Sequence, residues 1–274
     1  MKNVVYQSKC LERTKLGAKF DNIYRKSLEA PESFWSEAAA DIDWITPWAE
    51  VLDESDNPHA QWFRGATLNT CFNCVDRHIN AGRGEQAAVI YDSTVTNTKL
   101  TLTYNALKDQ VSRFAGVLEN QQVRRGDRVI IYMAMTPEAI IAALACARIG
   151  AVHSIVFGGF AANELSVRID DCTPKVIVSS SCGIEPNRIV AYKPLLDKAI
   201  ALSRHKPKAC IIAQRLEEEA TLVSGRDLSW DDAMAAAHPK SCVPVSSTDP
   251  LYILYTSGTT GQPKGVVRDN GGHA

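Results

Sequence analysis

The chain has 274 residues, 30 basic and 31 acidic side chains, and a formal net charge of −1. That length suits one large domain or two small ones with a sizeable core. With 45% hydrophobic and 22% charged residues, wholesale disorder is excluded, and the balanced charge argues against a nucleic-acid-coating surface.

Residues 1–30 carry seven basic side chains against three acidic ones. They lack the arginine-rich amphipathic character of an organelle leader, so a frayed, solvated start is expected. No export signal is read and the longest apolar runs, such as Ala139–Ala147, are too short for a bilayer. The expected compartment is the cytoplasm, with the mitochondrial matrix as the alternative. Neither a nucleic-acid partner nor a membrane is expected. Residues 31–60 reverse the sign with eight acids and no Lys or Arg, and four of five tryptophans fall between Trp35 and Trp62. Such aromatic density suggests an arm that packs on a larger body.

Cys71-x-x-Cys74 with His78 places three metal-ligating residue types on one face of a helix. Without a second CxxC or a fourth ligand, no metal site is assigned, and a packed face beside Phe72, Val75 and Ile79 is expected. Cys146, Cys172, Cys182 and Cys210 sit beside apolar or small residues and read as reduced core residues.

After Gly82 the rhythm changes. Ala87–Tyr91 and Leu100–Leu102 read as strands, and Thr103 caps a helix with apolar residues at Leu107, Val111, Phe114, Ala115 and Leu118. Arg128–Met133 is a strand. Thr136-Pro137-Glu138 opens a helix with a cap, a first-turn proline and an acid at the positive dipole end, and Gly150 closes it. Strand Val152–Phe157, a helix over 163–171, strand Lys175–Ser179, a helix over 193–204, strand Lys208–Ala213, a short helix after Ser229 and strand Leu251–Tyr255 follow. The alternation predicts an α/β fold: a largely parallel sheet flanked by helices, preceded by the Trp-rich arm. A buried parallel strand followed only by a glycine-rich loop and a few residues reads as a truncated domain.

Two glycine patterns compete for the chemistry. Gly82-x-Gly84-x-x-Ala87 precedes a strand, whereas a dinucleotide fingerprint follows one, so it reads as a turn. Thr256-Ser257-Gly258-Thr259-Thr260-Gly261-Gln262-Pro263-Lys264-Gly265 follows an apolar strand. It is no Walker A loop, because Pro263 and Gly265 flank the lysine. It still holds what a polyphosphate needs: glycines for close backbone approach, hydroxyl donors at Thr256, Ser257, Thr259 and Thr260, and a mobile charge at Lys264. Pro263 keeps the loop from becoming a helix interior. A polar hairpin loop is the alternative.

This segment resembles the phosphate loop of the adenylate-forming enzymes. The chain from about Phe20 to Ala274 resembles their short-chain acyl-CoA synthetases, most closely the propionate–CoA ligase branch beside the acetate one. The supporting stretches are Ser33-Phe34-Trp35, Ile42-Asp43-Trp44, Leu68-Asn69, Asp76-Arg77-His78, Gly150–Phe160, Ser181–Pro186, Val267-Arg268-Asp269 and Gly271-Gly272. Residues 1–19, ahead of the resemblance, are set apart as a leader; the resemblance implies an N-terminal arm of acetyl-CoA synthetase type over 20–80 and an incomplete AMP-binding domain over 81–274. It implies a two-step reaction on small molecules: ATP with its magnesium and a short carboxylate give an acyl-adenylate, and coenzyme A then takes the acyl group.

Glu185-Pro186-Asn187-Arg188 is the stretch that contacts coenzyme A in that family, with Arg188 as the phosphate partner. Asn187 stands where glycine is common and is expected to tolerate a positive φ. His153 is read as a packing residue beneath Gly158-Gly159. The catalytic lysine of the family is expected beyond Ala274, so no catalytic residue is assigned. A non-catalytic nucleotide- or phosphate-binding module, or a partner subunit, is the rival reading.

Overall fold

The structure is a computed structural model in which residues 15–56, 59–256 and 263–274 are described. The chain divides into two units, Met1–Ile42 and Asp43–Ala274.

In the first unit, α1 (Lys15–Glu29) and α2 (Pro31–Ala39) are joined at Ala30. Residues 15–29 are therefore helical, where the basic start had been expected to fray. Pro31 stands in the first turn of α2, where its missing N–H leaves no helical bond unmade. Lys26 pairs with Glu37 at 2.5 Å, both side chains being well exposed, so the pair contributes little stability.

The second unit opens with β1 (Glu50–Asp53), β2 (Gln61–Arg64) and β3 (Thr67–Leu68). Trp44, Trp48 and Phe63 bring their rings together at 5.1–5.3 Å, so the aromatic density of the sequence builds a small cluster here. Two π-helical stretches follow, Phe72–Asp76 and Ile79–Arg83. The antiparallel pair β4 (Ala87–Ser93) and β5 (Thr98–Thr103) leads into α3 (Tyr104–Asn120), whose Thr103 hydroxyl accepts from the Ala106 amide at 3.2 Å. In α3, a Cβ at Gly116 would lie 2.1 Å from the His238 carbonyl oxygen. Close approach of that backbone explains a glycine inside a helix that would otherwise disfavour it.

The alternation then proceeds as the sequence implies: β6 (Arg128–Met133), α4 (Pro137–Arg148), β7 (Val152–Phe157), α5 (Ala162–Cys172) and β8 (Val176–Ser180). A hairpin of β9 (Cys182–Glu185) and β10 (Arg188–Ala191) precedes α6 (Tyr192–Leu202) and β11 (Ala209–Ala213). Next come β12 (Asp227–Ser229), α7 (Trp230–Ala236), β13 (Val245–Ser246), β14 (Pro250–Thr256) and β15 (Lys264–Asp269).

Seven strands form one sheet in the order β12-β11-β8-β6-β7-β14-β15, parallel except for the antiparallel β14–β15 pair. Successive residues of β6 serve opposite faces. Val129 and Ile131 join α3, α4 and α7 in one core, whereas Ile130 and Tyr132 join α5 and α6 in the other. The chain thus leaves β6 toward one face and β8 toward the other, although these strands are neighbours. The crevice above their carboxyl ends is a topological switch point, where α/β sheets place ligands.

Candidate functional site

Thr256 ends β14 and pairs with Lys264, which begins β15, while Tyr255 pairs with Gly265. Ser257, Gly258, Thr259, Thr260 and Gly261, with Gln262, lie outside the described residues. Thr256 and Lys264 are exposed, and Pro263 is half-buried at the return. Gly265 packs tightly, because a Cβ there would meet Ile253 at 3.1 Å and Tyr255 at 3.2 Å.

The foot of this strand pair is anchored through α5. Tyr255 donates its phenolic hydrogen to Asp171 Oδ2 at 2.6 Å. Burial first, then Asp171, pushes that phenol well above its ordinary pKa, so it remains a neutral donor. The Arg168 guanidinium lies 5.5 Å from the Tyr255 ring centroid and 5.1 Å from that of Phe160, within cation–π range of both. Its own charge is held by the Glu164 carboxylate at 3.0 Å. One arginine therefore touches both the loop's foot and the glycine turn that follows β7.

That turn is gripped by two tyrosines. Tyr132 donates to the Phe160 carbonyl at 2.9 Å and accepts from the Gly159 amide at 3.2 Å. Burial raises its hydroxyl to a pKa of about 12. A Cβ at Gly158 would lie 2.5 Å from the Tyr192 ring, and one at Gly183 only 1.9 Å from its hydroxyl. These glycines are needed for space around Tyr192.

The four residues at Glu185–Arg188 form the β9–β10 hairpin turn, with Arg188 opposite Glu185 in the register. Arg188 donates to both Glu185 oxygens, at 2.8 and 3.2 Å, and both side chains are largely exposed. Asn187 does not take a positive φ. The turn closes with ordinary backbone, so the tolerance expected of Asn187 is not called upon.

The β8 and β14 ends are three strand spacings apart in the sheet order, about 14 Å at 4.7–4.9 Å per strand. Because the strands from β8 to β14 are parallel, both ends lie at the same end of the sheet.

His153 is not beneath Gly158-Gly159. It lies at the opposite end of β7, in register with Tyr252, whose ring is 5.7 Å away. Burial depresses its pKa to about 4, and its Nδ1 has no partner. It packs as a neutral ring.

The face proposed for Cys71, Cys74 and His78 is broken by the π-helical turns. Cys71 is buried, Cys74 is exposed, and His78 meets Arg83 and packs on Tyr104. Cys71 instead approaches Asp76 and Cys242. Arg148 donates to both Asp76 oxygens at 2.7 and 3.1 Å, and Lys108 stands 3.2 Å from the same carboxylate. Burial pushes the Asp76 carboxyl up, and these two cations more than offset it. The guanidinium already neutralises the carboxylate and would repel a cation, so the cluster is an ion-pair site.

Residues 76–273 match the family described as AMP-binding enzyme, and residues 20–74 match the acetyl-coenzyme A synthetase N-terminus. The chain belongs to the AMP-binding enzyme family. It is 52% identical over 259 residues to the human acyl-CoA synthetase short-chain family member 3, mitochondrial, covering 94% of this chain and 38% of that protein. It is 46% identical over 258 residues to the propionate–CoA ligase of Salmonella typhimurium, covering 93% and 41%. The acetoacetyl-CoA synthetase structure from Streptomyces lividans superposes with a TM-score of 0.82 at 30% identity, over 90% of this chain and 38% of that one. The chain thus spans about two fifths of the length of these AMP-binding relatives.

Tyr132, Tyr192, Arg168 and Asp171 were missed from sequence. Their importance arises where separate elements converge, and no local spacing marks that convergence. An interior tyrosine in each of two core-forming elements was the only available signal.

Proposed function

We propose that this chain is part of an ATP-dependent, AMP-forming short-chain acyl-CoA synthetase, with propionate or acetate as substrate. The observation that carries this reading is the glycine- and hydroxyl-rich segment over 256–265, strung between the paired ends of β14 and β15. In the first half-reaction a carboxylate oxygen of the acid attacks the α-phosphorus of ATP, supplied as its magnesium complex, and pyrophosphate leaves. In the second, the coenzyme A sulfur attacks the activated carbonyl and AMP leaves.

Lys264 and the donors at Thr256, Ser257, Thr259 and Thr260 stabilise negative charge growing on the departing pyrophosphate. Gly258, Gly261 and Gly265 allow the backbone to approach, and Pro263 limits the loop's freedom. Arg188, in the turn Glu185-Pro186-Asn187-Arg188, pairs with a phosphate of coenzyme A. Since Glu185 holds Arg188 in the absence of ligand, the phosphate must displace that carboxylate. The cytoplasm or the mitochondrial matrix is the proposed compartment, and one relative is named mitochondrial.

A chimera in which this chain replaces the matching part of the Salmonella propionate–CoA ligase tests the reading. Propionate- or acetate-dependent ATP–pyrophosphate exchange is expected. A folded chimera that binds ATP and exchanges pyrophosphate with neither acid supports the non-catalytic module instead.

A further inference from the structure

Cys71 and Cys242 come from distant parts of the sequence and meet beside the Asp76–Arg148 pair, their sulfurs within 4.8 Å of each other. Both are held there by the chain around them. Arg148 Nε donates to the Lys240 carbonyl at 2.6 Å, and the Arg148 carbonyl accepts from the Val243 amide at 2.9 Å. Asn69, itself buried, donates to the Val243 carbonyl at 2.8 Å and accepts from the Phe72 amide at 3.0 Å. One arginine and one asparagine thus fix the residues on either side of both cysteines. Held this close, the sulfurs need a change of rotamer rather than of backbone to bond.

The two thiols face opposite charges. Arg148 donates to Cys71 Sγ at 3.5 Å, whereas the Cys242 thiol donates to Asp76 Oδ2 at 3.7 Å. A hydrogen bond from Cys242, opposed by burial and reinforced by Arg148, holds the Cys71 thiol below its ordinary pKa. The same bond, then burial, pushes Cys242 up. Cys71 is therefore the sulfur suited to carry charge, and Cys242 the one that keeps its proton. Access differs as well. Cys71 is fully buried, but Cys242 is half-buried in a stretch over 237–244 that has neither helix nor strand, with Ser241 and Pro244 exposed. Cys146, Cys172 and Cys210 make the contrast: burial pushes all three thiols up, as in inert core cysteines.

We infer that Cys71 and Cys242 form a reversible dithiol–disulfide site oxidised by a peroxide. The Cys242 sulfur, the more accessible one, attacks a peroxide oxygen and the O–O bond breaks. Its proton goes to the departing hydroxide, leaving one water and a sulfenic acid. The Cys71 thiolate then attacks that sulfur and the S–O bond breaks. The expelled hydroxide takes the proton that the Cys71 thiol gave up, which makes the second water. Two thiols lose two electrons and hydrogen peroxide gains them. Arg148 stabilises the Cys71 thiolate and with it the reduced form, so two molecules of a thiol such as glutathione return both cysteines and become its disulfide. The site uses none of the residues assigned to phosphate or coenzyme A.

The test treats the folded 274-residue chain with an equimolar amount of hydrogen peroxide, blocks the remaining thiols with iodoacetamide in denaturant, and maps the peptides by mass spectrometry. The Cys71 and Cys242 peptides are expected joined, two hydrogens lighter than their sum, and separate again after reduced glutathione. The same treatment in urea should yield roughly tenfold less of this crosslink, because the unfolded chain no longer holds the sulfurs together. Cys74→Ser should leave the crosslink in place. Cys71→Ser should instead leave Cys242 as a sulfenic acid that dimedone captures. Free thiols at both Cys71 and Cys242 after peroxide, a Cys71–Cys74 bond in their place, an equal yield in urea, or a crosslink that glutathione does not open overturns the assignment. All four are read on the unsubstituted chain, so they decide the matter even where a variant fails to fold.

Discussion

Tyr255 donates to Asp171 across 2.6 Å, tying the last residues of β14 to the end of α5 immediately before the glycine- and hydroxyl-rich segment proposed to bind phosphate. Loop donors act in catalysis only as far as their scaffold holds them still. The pair is only partly shielded from water, so Tyr255→Phe should cost the fold roughly 0.5–1.5 kcal/mol. In the chimera it should raise the ATP requirement of pyrophosphate exchange. Asp171→Ala should act alike, and the double variant should add little to either, because both remove the same bond. Additive losses would indicate that the two residues serve separate purposes.

The buried Asp76–Arg148 pair makes a sharper stability prediction. Arg148 is 3% exposed and donates to both carboxylate oxygens. Arg148→Met leaves the Asp76 carboxylate with Lys108 as its one ion-pair partner among the described residues, which should destabilise by about 3 kcal/mol, the low end for breaking a buried pair. Adding Asp76→Asn should recover part of that loss. Urea denaturation of both singles and the double provides the measurement, and independent losses in the double would refute the pairing.

His153 gives the pH dependence. Burial, with a smaller effect from His273, lowers its folded pKa to about 4, against about 6.5 for an unfolded histidine. The unfolded state then binds the extra proton between those values. The stabilising effect is complete above about pH 6.5 and is lost as pH falls toward 4, at up to about 1.4 kcal/mol per unit. An NMR titration of the His153 ring should give a midpoint near 4, and His153→Gln should flatten the acid limb of stability. A midpoint near 6.5 would show a solvated ring.

Strand and helix placement was largely legible because hydrophobic rows and caps are local. Arg128–Met133 and Val152–Phe157 coincide with β6 and β7, and Thr103 caps α3 through its side chain. Thr136 has the same local signature without the capping bond, since the signature cannot report where the hydroxyl turns. The strand Lys264–Asp269 went unread because its apolar residues are exposed on an edge, Val266 at 45% and Val267 at 56%. The loop's chemical groups were legible from composition. Its anchors were not, because Asp171 and Tyr255 are 84 residues apart and only the fold joins them.

Glu185 and Arg188 lead to opposed effects on coenzyme A. Arg188→Ala in the chimera should raise the coenzyme A requirement by roughly tenfold or more, the loss of a charged contact to phosphate. Glu185→Gln releases Arg188 from its bidentate partner and should lower that requirement. Adenylation should change little in either. If both variants shift thioester formation the same way, the hairpin does not serve as a phosphate clasp.

Lys264 tests the central claim most directly. It begins β15, opposite Thr256, at the mouth of the loop proposed to meet the departing pyrophosphate. The decisive measurement compares Lys264→Ala with the parent chimera in two assays, propionate-dependent ATP–pyrophosphate exchange and thioester formation from supplied propionyl-adenylate. The account predicts a loss of at least a hundredfold in exchange, the scale of removing one charge-stabilising group, with thioester formation within about threefold of the parent. Equal losses in both assays, or none in exchange, would contradict it.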